Sequence, residues 1–191
     1  LPHHRTAAAA GFDGVKLDDL RVSASEIKIA KNEVSMQLKK AIAIAAENIK
    51  KFHSSQKSSE AKVQTMPGVF CWRENVAIQN VGLYIPGGTA PLFSTILMLG
   101  IPAQLAGCGQ IVLCTPSDKN GKINAAILYT ASELGITEIY KIGGAQAIAA
   151  MAFGTESIQK VNKIFGPGNQ YVMKAKELVQ QIGVAIDLPA G

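Results

Sequence analysis

The length and composition of the chain are those of a globular α/β protein. Its 191 residues are enough for one good-sized domain, and 48% hydrophobic residues, 6% aromatic residues and 18 glycines suit many tight turns between strands and helices. No apolar run reaches the roughly 18 to 20 residues that span a bilayer. The net charge of +5 comes from dispersed lysines, which suit a solvated helix face better than a nucleic-acid interface. We therefore expect neither a membrane nor a nucleic acid as partner.

The cysteines and histidines form neither a disulfide framework nor a zinc motif. Cys71, Cys108 and Cys114 are odd in number and lack C-x-x-C spacing, which favours reduced thiols and a cytoplasmic location. Two of the three histidines lie in residues 1–10, L-P-H-H-R-T followed by four alanines, which we interpret as tag-like or unassigned sequence. The third, His53, lies at the polar end of a predicted helix, where a cation is favourable.

Residues 11–62 are predicted to form a helical N-terminal segment. The run S-A-S-E at 23–26 is a capping box that begins a short helix. A longer helix follows, whose apolar stripe extends from Leu38 to Phe52 opposite a row of lysines. The segment has no obvious place in the repeat that follows it. We therefore expect the stripe to pack against a partner chain or against a further part of the protein.

Residues 63–191 are predicted to form an α/β domain. After a turn at M-P-G and a short strand at 69–72, one strand–loop–helix unit repeats. Strands alternating with helices of this length indicate a parallel sheet flanked by helices, with a ligand crevice beyond the carboxyl ends of the strands. The predicted strands are 81–85, 111–114, 139–142, 163–165 and 184–188, with a helix after each of the first four.

The loop between strand 81–85 and its helix is rich in glycine. Gly87 and Gly88 turn the chain, Thr89 is placed to cap the helix, and Pro91 suits its first turn. A strand that leads through glycines to a helix N-terminus can bind a phosphate. A βα turn in any α/β protein has the same pattern, so the loop by itself leaves both interpretations open.

Three polar residues at strand ends are the candidate ligand contacts, namely Tyr84, Gln146 and Asn169. Each has a structural alternative: a core ring with a bonded hydroxyl for Tyr84, a first-turn residue for Gln146, and a helix N-cap for Asn169. Their common position at strand ends favours a binding site. The run G-P-G-N-Q-Y at 166–171 matches only the first two glycines of the dinucleotide fingerprint, and these loops hold no acid/base pair. The pattern indicates nucleotide binding rather than catalysis.

Long motifs of the chain resemble the histidinol dehydrogenases in sequence and order. The motifs are V-G-L-Y-I-P-G-G-T-A-P-L-F-S-T, G-C-G-Q-I-V-L-C-T-P, G-G-A-Q-A-I-A-A-M-A-F-G-T-E-S, K-I-F-G-P-G-N-Q-Y-V and I-D-L-P-A-G, and the resemblance extends from about Phe12 to Gly191. It implies an incomplete Rossmann-like sheet in a cytoplasmic, homodimeric, zinc-dependent enzyme of histidine biosynthesis. That enzyme oxidises L-histidinol to L-histidine and reduces two NAD. In the family, the residues that correspond to Tyr84, Gln146 and Asn169 contact NAD.

The resemblance does not include the family's catalytic residues. The zinc ligands, the Glu–His acid/base pair and the substrate-binding serine of the family lie beyond the P-A-G at which this sequence ends. A catalytic zinc takes about three protein ligands, which His53 alone cannot provide. We therefore expect no catalytic and no metal-binding residue here, but part of the NAD site of an enzyme whose N-terminal half this chain resembles. The alternative is a non-catalytic nucleotide-binding or dimerisation module.

Overall fold

The computed structural model describes residues 19–57, 61–87 and 90–187 of the chain. The residues predicted to be tag-like (1–10), the predicted turn residue Gly88, the predicted capping residue Thr89 and the final P-A-G lie outside them. In chain order the elements are α1 (Ala24–Glu33), α2 (Met36–Ser54), β1 (Val63–Met66), β2 (Val69–Cys71), β3 (Asn80–Tyr84), α3 (Phe93–Leu105), β4 (Gln110–Thr115), α4 (Ala125–Glu133), β5 (Glu138–Lys141), α5 (Gly144–Phe153), β6 (Lys163–Phe165), α6 (Gln170–Gln181) and β7 (Ala185–Ile186).

Within the residues that the structure describes, the main sheet has five parallel strands in the order β5-β4-β3-β6-β7. The five predicted strands and their four crossover helices are thus confirmed. From β3 the chain moves outward through β4 to β5, then returns across the sheet to β6 on the other side of β3. The strand order therefore reverses between β3 and β6, as at the switch point of Rossmann-type sheets.

Helices cover both faces of this sheet, which explains why its strands are apolar on both sides. Leu83, Leu113 and Ile139 point to the face covered by α3 and α4. Tyr84 and Ile164 point to the opposite face, where they pack with buried residues of α5 and α6. Successive residues of β3 thus face opposite layers, as expected of a pleated strand.

The N-terminal segment packs on its own chain. The predicted capping box is present, because the Ser23 hydroxyl accepts a hydrogen bond from the Glu26 N–H at 3.2 Å and the Glu26 carboxylate accepts one from the Ser23 N–H at 2.9 Å. Helix α1 packs against α4, and α2 packs against α3. Ile42 of the predicted stripe is buried at this contact, whereas Phe52 is 62% exposed. The segment that had no obvious place in the repeat is therefore a second helical layer over α3 and α4.

A two-stranded antiparallel hairpin, β1–β2, precedes the main sheet. The predicted M-P-G turn joins its strands, but β1 was not predicted. Every residue of both strands is exposed, including Phe70 at 53%. The alternating pattern that marks a half-buried strand is consequently missing from 63–66.

The start of α3 differs from the sequence prediction. Pro91 was expected in the first turn, but the helix begins at Phe93, and Leu92 precedes it with φ −86° and ψ 50°, which is not a helical conformation. Pro91 therefore belongs to the loop. None of the described helices is both long and apolar enough to cross a membrane.

Candidate functional site

The switch point brings the carboxyl ends of β3 and β6 side by side. The register pairs Leu83 with Phe165, so Tyr84 and Gly166 follow at the same level of the sheet. The loops after these two strands lead to helices on opposite faces, α3 and α6. In open α/β sheets this divergence leaves the crevice in which ligands bind.

Gly166 allows the loop after β6 to lie directly against β3. Its φ is +128°, and a Cβ atom built on it would lie 2.0 Å from the carbonyl oxygen of Tyr84. No side chain fits there, and an L-residue rarely adopts that φ. The glycine is therefore required by both the close approach and the backbone conformation.

Tyr84 links the end of β3 to the N-terminus of α5. Its side chain is only 4% exposed and lies in the apolar cluster under α5. The backbone N–H of Gly144 donates a hydrogen bond to the Tyr84 hydroxyl at 3.0 Å. The structural alternative for this residue, a core ring with a bonded hydroxyl, is thus what the structure shows. The same contact places the ring beside the first turn of α5.

Gln146 lies in that first turn and carries a buried nitrogen atom. Its Nε2 is inaccessible to solvent and has no hydrogen-bond partner within the described part of the chain. Burying an amide without a partner costs about 1 to 3 kcal/mol, and such groups in native proteins call for an explanation. A bound acceptor group would provide the missing partner.

Asn169 is the N-cap of α6. Its Oδ1 accepts hydrogen bonds from the backbone N–H groups of Tyr171 and Val172, both at 3.1 Å. The oxygen is committed to the helix, so a ligand contact falls to the exposed amide nitrogen, which is a donor. Capping and ligand binding are compatible at this residue.

The three predicted residues belong to loops that meet around Tyr84. Its hydroxyl contacts Gly144, two residues before Gln146, and its backbone contacts Gly166, three residues before Asn169. Helices α5 and α6 both begin here, and helix N-termini favour anionic groups. The arrangement offers hydrogen-bond donors and two helix N-termini around the buried Tyr84 ring, which fits a nucleotide.

A second cleft, of about 400 Å³, opens on the α3/α4 side of the sheet, between the loops after β3 and β4. Thr115 and Ser117 line it, and their hydroxyl oxygens are buried without a partner among the residues described. Asp118 and Lys122 lie at the same cleft. Sequence reasoning missed this cleft, although the T-P-S run directly after β4 marks a polar strand end.

The cysteines and the histidine of the described residues do not form a group of metal ligands. Burial raises the pKa of the Cys114 thiol, which lies inside β4 and is fully buried. Burial also raises the pKa of Cys108. His53 Nδ1 lies 2.7 Å from the Gln56 side chain in the last turn of α2. Across residues 19–57, 61–87 and 90–187, no three His, Cys, Asp or Glu side chains come together as metal ligands.

The histidinol dehydrogenase family model matches residues 6–191. The chain belongs to the histidinol dehydrogenase family. The match starts inside the 1–10 segment that the sequence analysis set aside as tag-like. That interpretation remains a prediction, and the family match covers its last five residues.

Individual relatives agree with the family match. The chain is 62% identical over 182 residues to a histidinol dehydrogenase of Bacteroides fragilis (strain YCH46), covering 95% of this chain and 42% of that relative. It is 56% identical over 182 residues to the Aliivibrio fischeri enzyme of the same name, covering 94% of this chain and 40% of the relative. The crystal structure of histidinol dehydrogenase from Elizabethkingia anophelis superposes with a TM-score of 0.96 at 60% identity, covering 97% of this chain and 43% of that one.

These matches confirm the family resemblance and the parallel α/β fold. The chain spans less than half the length of the relatives that it matches. The activity, substrates and partners of a whole histidinol dehydrogenase are therefore taken up as proposals.

Proposed function

We propose that this chain forms the NAD-binding part of a histidinol dehydrogenase, in which Tyr84, Gln146 and Asn169 contact the cofactor. The observation that carries this proposal is the buried, unpartnered Nε2 of Gln146 at the switch-point crevice. The NAD ribose hydroxyls and phosphates are acceptors that would satisfy it. In the whole enzyme, two NAD bound in turn at this site would accept the two hydrides that are released when L-histidinol is oxidised to L-histidine.

Each residue has a defined task in this proposal. Gln146 Nε2 and the Asn169 amide nitrogen donate hydrogen bonds to the cofactor. The Tyr84 ring forms the floor of the crevice and keeps its hydroxyl on Gly144. The N-termini of α5 and α6 favour the negative charge of the phosphates.

The zinc and the proton-transfer groups of the reaction belong, in this proposal, to residues outside those described. The described part of the chain does not fit a zinc site, because no three His, Cys, Asp or Glu side chains come together in it, and a catalytic zinc takes about three protein ligands. We assign no zinc-dependent step to it. We also propose that the complete enzyme is a cytoplasmic homodimer, as the family resemblance implies.

Gln146→Met tests the proposal directly. The methionine side chain keeps the volume but removes the unpartnered nitrogen, so the melting temperature stays equal or rises. Calorimetric titration of the 191-residue chain with NAD should nevertheless show at least about tenfold weaker binding, because one donor to the ligand is lost. Wild-type binding of NAD that Gln146→Met leaves unchanged would contradict the assigned role.

Asn169 needs two variants, because its oxygen caps α6. Asn169→Ala loses the cap, at a cost of about 1 kcal/mol, together with the amide nitrogen. Asn169→Ser keeps a capping oxygen and loses only the nitrogen. We expect NAD affinity to fall in both variants, and stability to fall mainly in the first. If Asn169→Ser binds NAD as tightly as the wild type, the residue is only a helix cap.

A turnover assay distinguishes the proposed function from its alternative, a nucleotide-binding or dimerisation module. The chain alone, with L-histidinol, NAD and zinc, should produce no NADH. A chimera in which the chain replaces the matching stretch of the Bacteroides fragilis relative should produce it. NADH formation by the chain alone would overturn the assignment of catalysis to residues elsewhere. NAD binding without turnover in the chimera would favour the alternative.

A further inference from the structure

An ion pair between a buried lysine and a partly buried aspartate lies directly behind the loop that carries Asn169. Lys176 of α6 is only 1% exposed and forms a salt bridge with Asp187, just after β7, whose side chain is 28% exposed. Lys176 occupies the apolar side of α6, four residues after the buried Val172 and three before the buried Val179. A lysine at a buried helix position is rare unless its charge is paired.

Both members of the pair also bind the backbone of Gly166. The Lys176 ammonium donates a hydrogen bond to the Gly166 carbonyl oxygen at 3.0 Å. The Gly166 N–H donates one to the second carboxylate oxygen of Asp187 at 2.8 Å. Consequently both backbone polar groups of this one glycine are held by charged side chains, which form stronger hydrogen bonds than neutral ones.

Gly166 is the point at which the loop after β6 touches β3. Its position against the Tyr84 carbonyl oxygen leaves no space for a Cβ, so a small shift of its backbone would change the separation between Tyr84 and the 166–169 loop. The Asp187 backbone is itself fixed, since its N–H donates to the Ile164 carbonyl oxygen at 3.2 Å. The pair thus connects β6, α6 and the end of β7 at the edge of the crevice.

We propose that Lys176 and Asp187 are positioning residues for the cofactor site: they fix Gly166, and through it hold Asn169 at a set distance from Tyr84. The proposal rests on the proposed NAD function of these residues. Neither charged side chain needs to touch the cofactor. A binding site that is already held in its bound geometry loses less conformational entropy when the ligand binds. Loss of the hydrogen bonds between this pair and Gly166 should therefore lower the affinity for NAD.

The decisive variant is the double substitution K176M/D187L. Replacing both members of the ion pair by apolar residues avoids the unpaired buried charge that Asp187→Leu leaves, so its melting temperature should be nearer the wild-type value than that of Asp187→Leu. Neither new side chain can bind the Gly166 backbone. NAD affinity, measured by calorimetry, should therefore stay about tenfold below wild type despite the recovered stability. A merely structural pair would instead let NAD affinity recover together with the melting temperature, which would overturn the proposal.

Hydrogen exchange provides a measurement that needs no NAD. The Gly166 N–H loses its acceptor in K176M/D187L, so its exchange should accelerate at least about tenfold. The Gly154 N–H, bound to the Ala150 carbonyl oxygen at 2.9 Å, is the internal control and should not change. Unchanged exchange at Gly166 in the double variant would refute the proposal that the pair fixes Gly166. If exchange at Gly166 accelerates but the wild type does not bind NAD, the proposed function is refuted instead. The two failures are therefore distinguishable.

The exposed pair on the same helix is a matched control. Lys174 and Glu177 lie 2.9 Å apart with side-chain exposures of 66% and 44%. The double variant K174M/E177L removes the same kind of charges without touching Gly166. Its NAD affinity and Gly166 exchange should equal those of wild type. An equal loss of affinity in both double variants would show a general charge effect and overturn the proposal.

Discussion

The loops after β6 and β4 are each fixed by a carboxylate that accepts hydrogen bonds from backbone N–H groups. The carboxylate after β6 is partly buried and paired with a buried lysine, whereas the one after β4 is exposed to water. After β6, Asp187 and Lys176 hold Gly166. After β4, Asp118 accepts hydrogen bonds from the N–H groups of Asn120 and Lys122, both at 2.8 Å, and is exposed. Similar hydrogen bonds should therefore contribute unequally to the free energy of unfolding. Water replaces the exposed ones when they are lost but cannot replace the buried ones.

Of the variants that test this comparison, Gly166→Ala should lower the free energy of unfolding the most. The added Cβ would overlap the Tyr84 carbonyl oxygen, and the φ of +128° is strained for alanine. We expect a loss of unfolding free energy above about 4 kcal/mol, measured by urea unfolding. The control is Gly135→Ala, where φ is +66° but a Cβ meets nothing within 4 Å, so only about 1 kcal/mol should be lost. Equal losses would show that the contact with Tyr84 is unimportant.

Single substitutions of Lys176 and Asp187 should have the next largest effects on the free energy of unfolding, and the two effects should be unequal. Asp187→Leu leaves the fully buried Lys176 without its counter-ion, whereas Lys176→Met leaves a carboxylate that is 28% exposed and still accepts the Gly166 N–H. Asp187→Leu should cost about 3 to 5 kcal/mol, and Lys176→Met less. Urea unfolding of the two variants measures this. The reverse order would mean that Lys176 reaches water in the folded protein.

Glu26 supplies a smaller, pH-dependent contribution. Partial burial raises its pKa, but the hydrogen bond from Lys141, together with those from Ser23, brings the pKa below its ordinary value of 4.5. A lowered folded-state pKa stabilises the protein above the ordinary value, and this contribution disappears as the pH falls through the folded-state pKa. Glu26→Gln should therefore lower the melting temperature by about 2 °C at pH 7.

Below that folded-state pKa the wild type and Glu26→Gln should melt together, because Glu26 is then protonated. Melting curves between pH 7 and pH 3 test this convergence. A constant difference across that range would show that the carboxylate charge is not what stabilises the contact between α1 and β5.

Asp118→Ala should have the smallest effect. The hydrogen bond that Asp118 accepts from the Lys122 N–H lowers its pKa, desolvation opposes this, and the bond from the Asn120 N–H lowers the pKa further. The exposure of Asp118 lets water replace both hydrogen bonds. The melting temperature should change less than in Gly166→Ala, Asp187→Leu or Glu26→Gln, and NAD affinity should not change. A loss as large as that of Asp187→Leu would remove the distinction between the two loops.

The sequence was sufficient to predict the parallel sheet, because each of the first four strands is a short apolar run followed by a loop with glycine and then a helix. It was insufficient for β1 and for the start of α3. The hairpin strand is exposed on all its residues and has no buried face to generate a pattern. Helix α3 begins at Phe93 because Leu92 adopts a non-helical conformation, which no residue type in that loop specifies.

The three candidate contacts were found because they follow strand ends, a property of the sequence. Their supporting residues were not found, because Lys176 and Asp187 are eleven positions apart and meet only in the folded protein. The lysine among the apolar positions of α6 was the available signal.

The most direct measurement is the side-chain amide spectrum of Gln146 during titration of the 191-residue chain with NAD. We expect the Nε2 resonance, assigned by its loss in Gln146→Met, to shift saturably as NAD is added. The Gln104 side-chain amide, which is bonded to the Leu134 carbonyl oxygen, is the reference and should not move. A Gln146 resonance that stays unchanged at saturating NAD would contradict the proposed cofactor site.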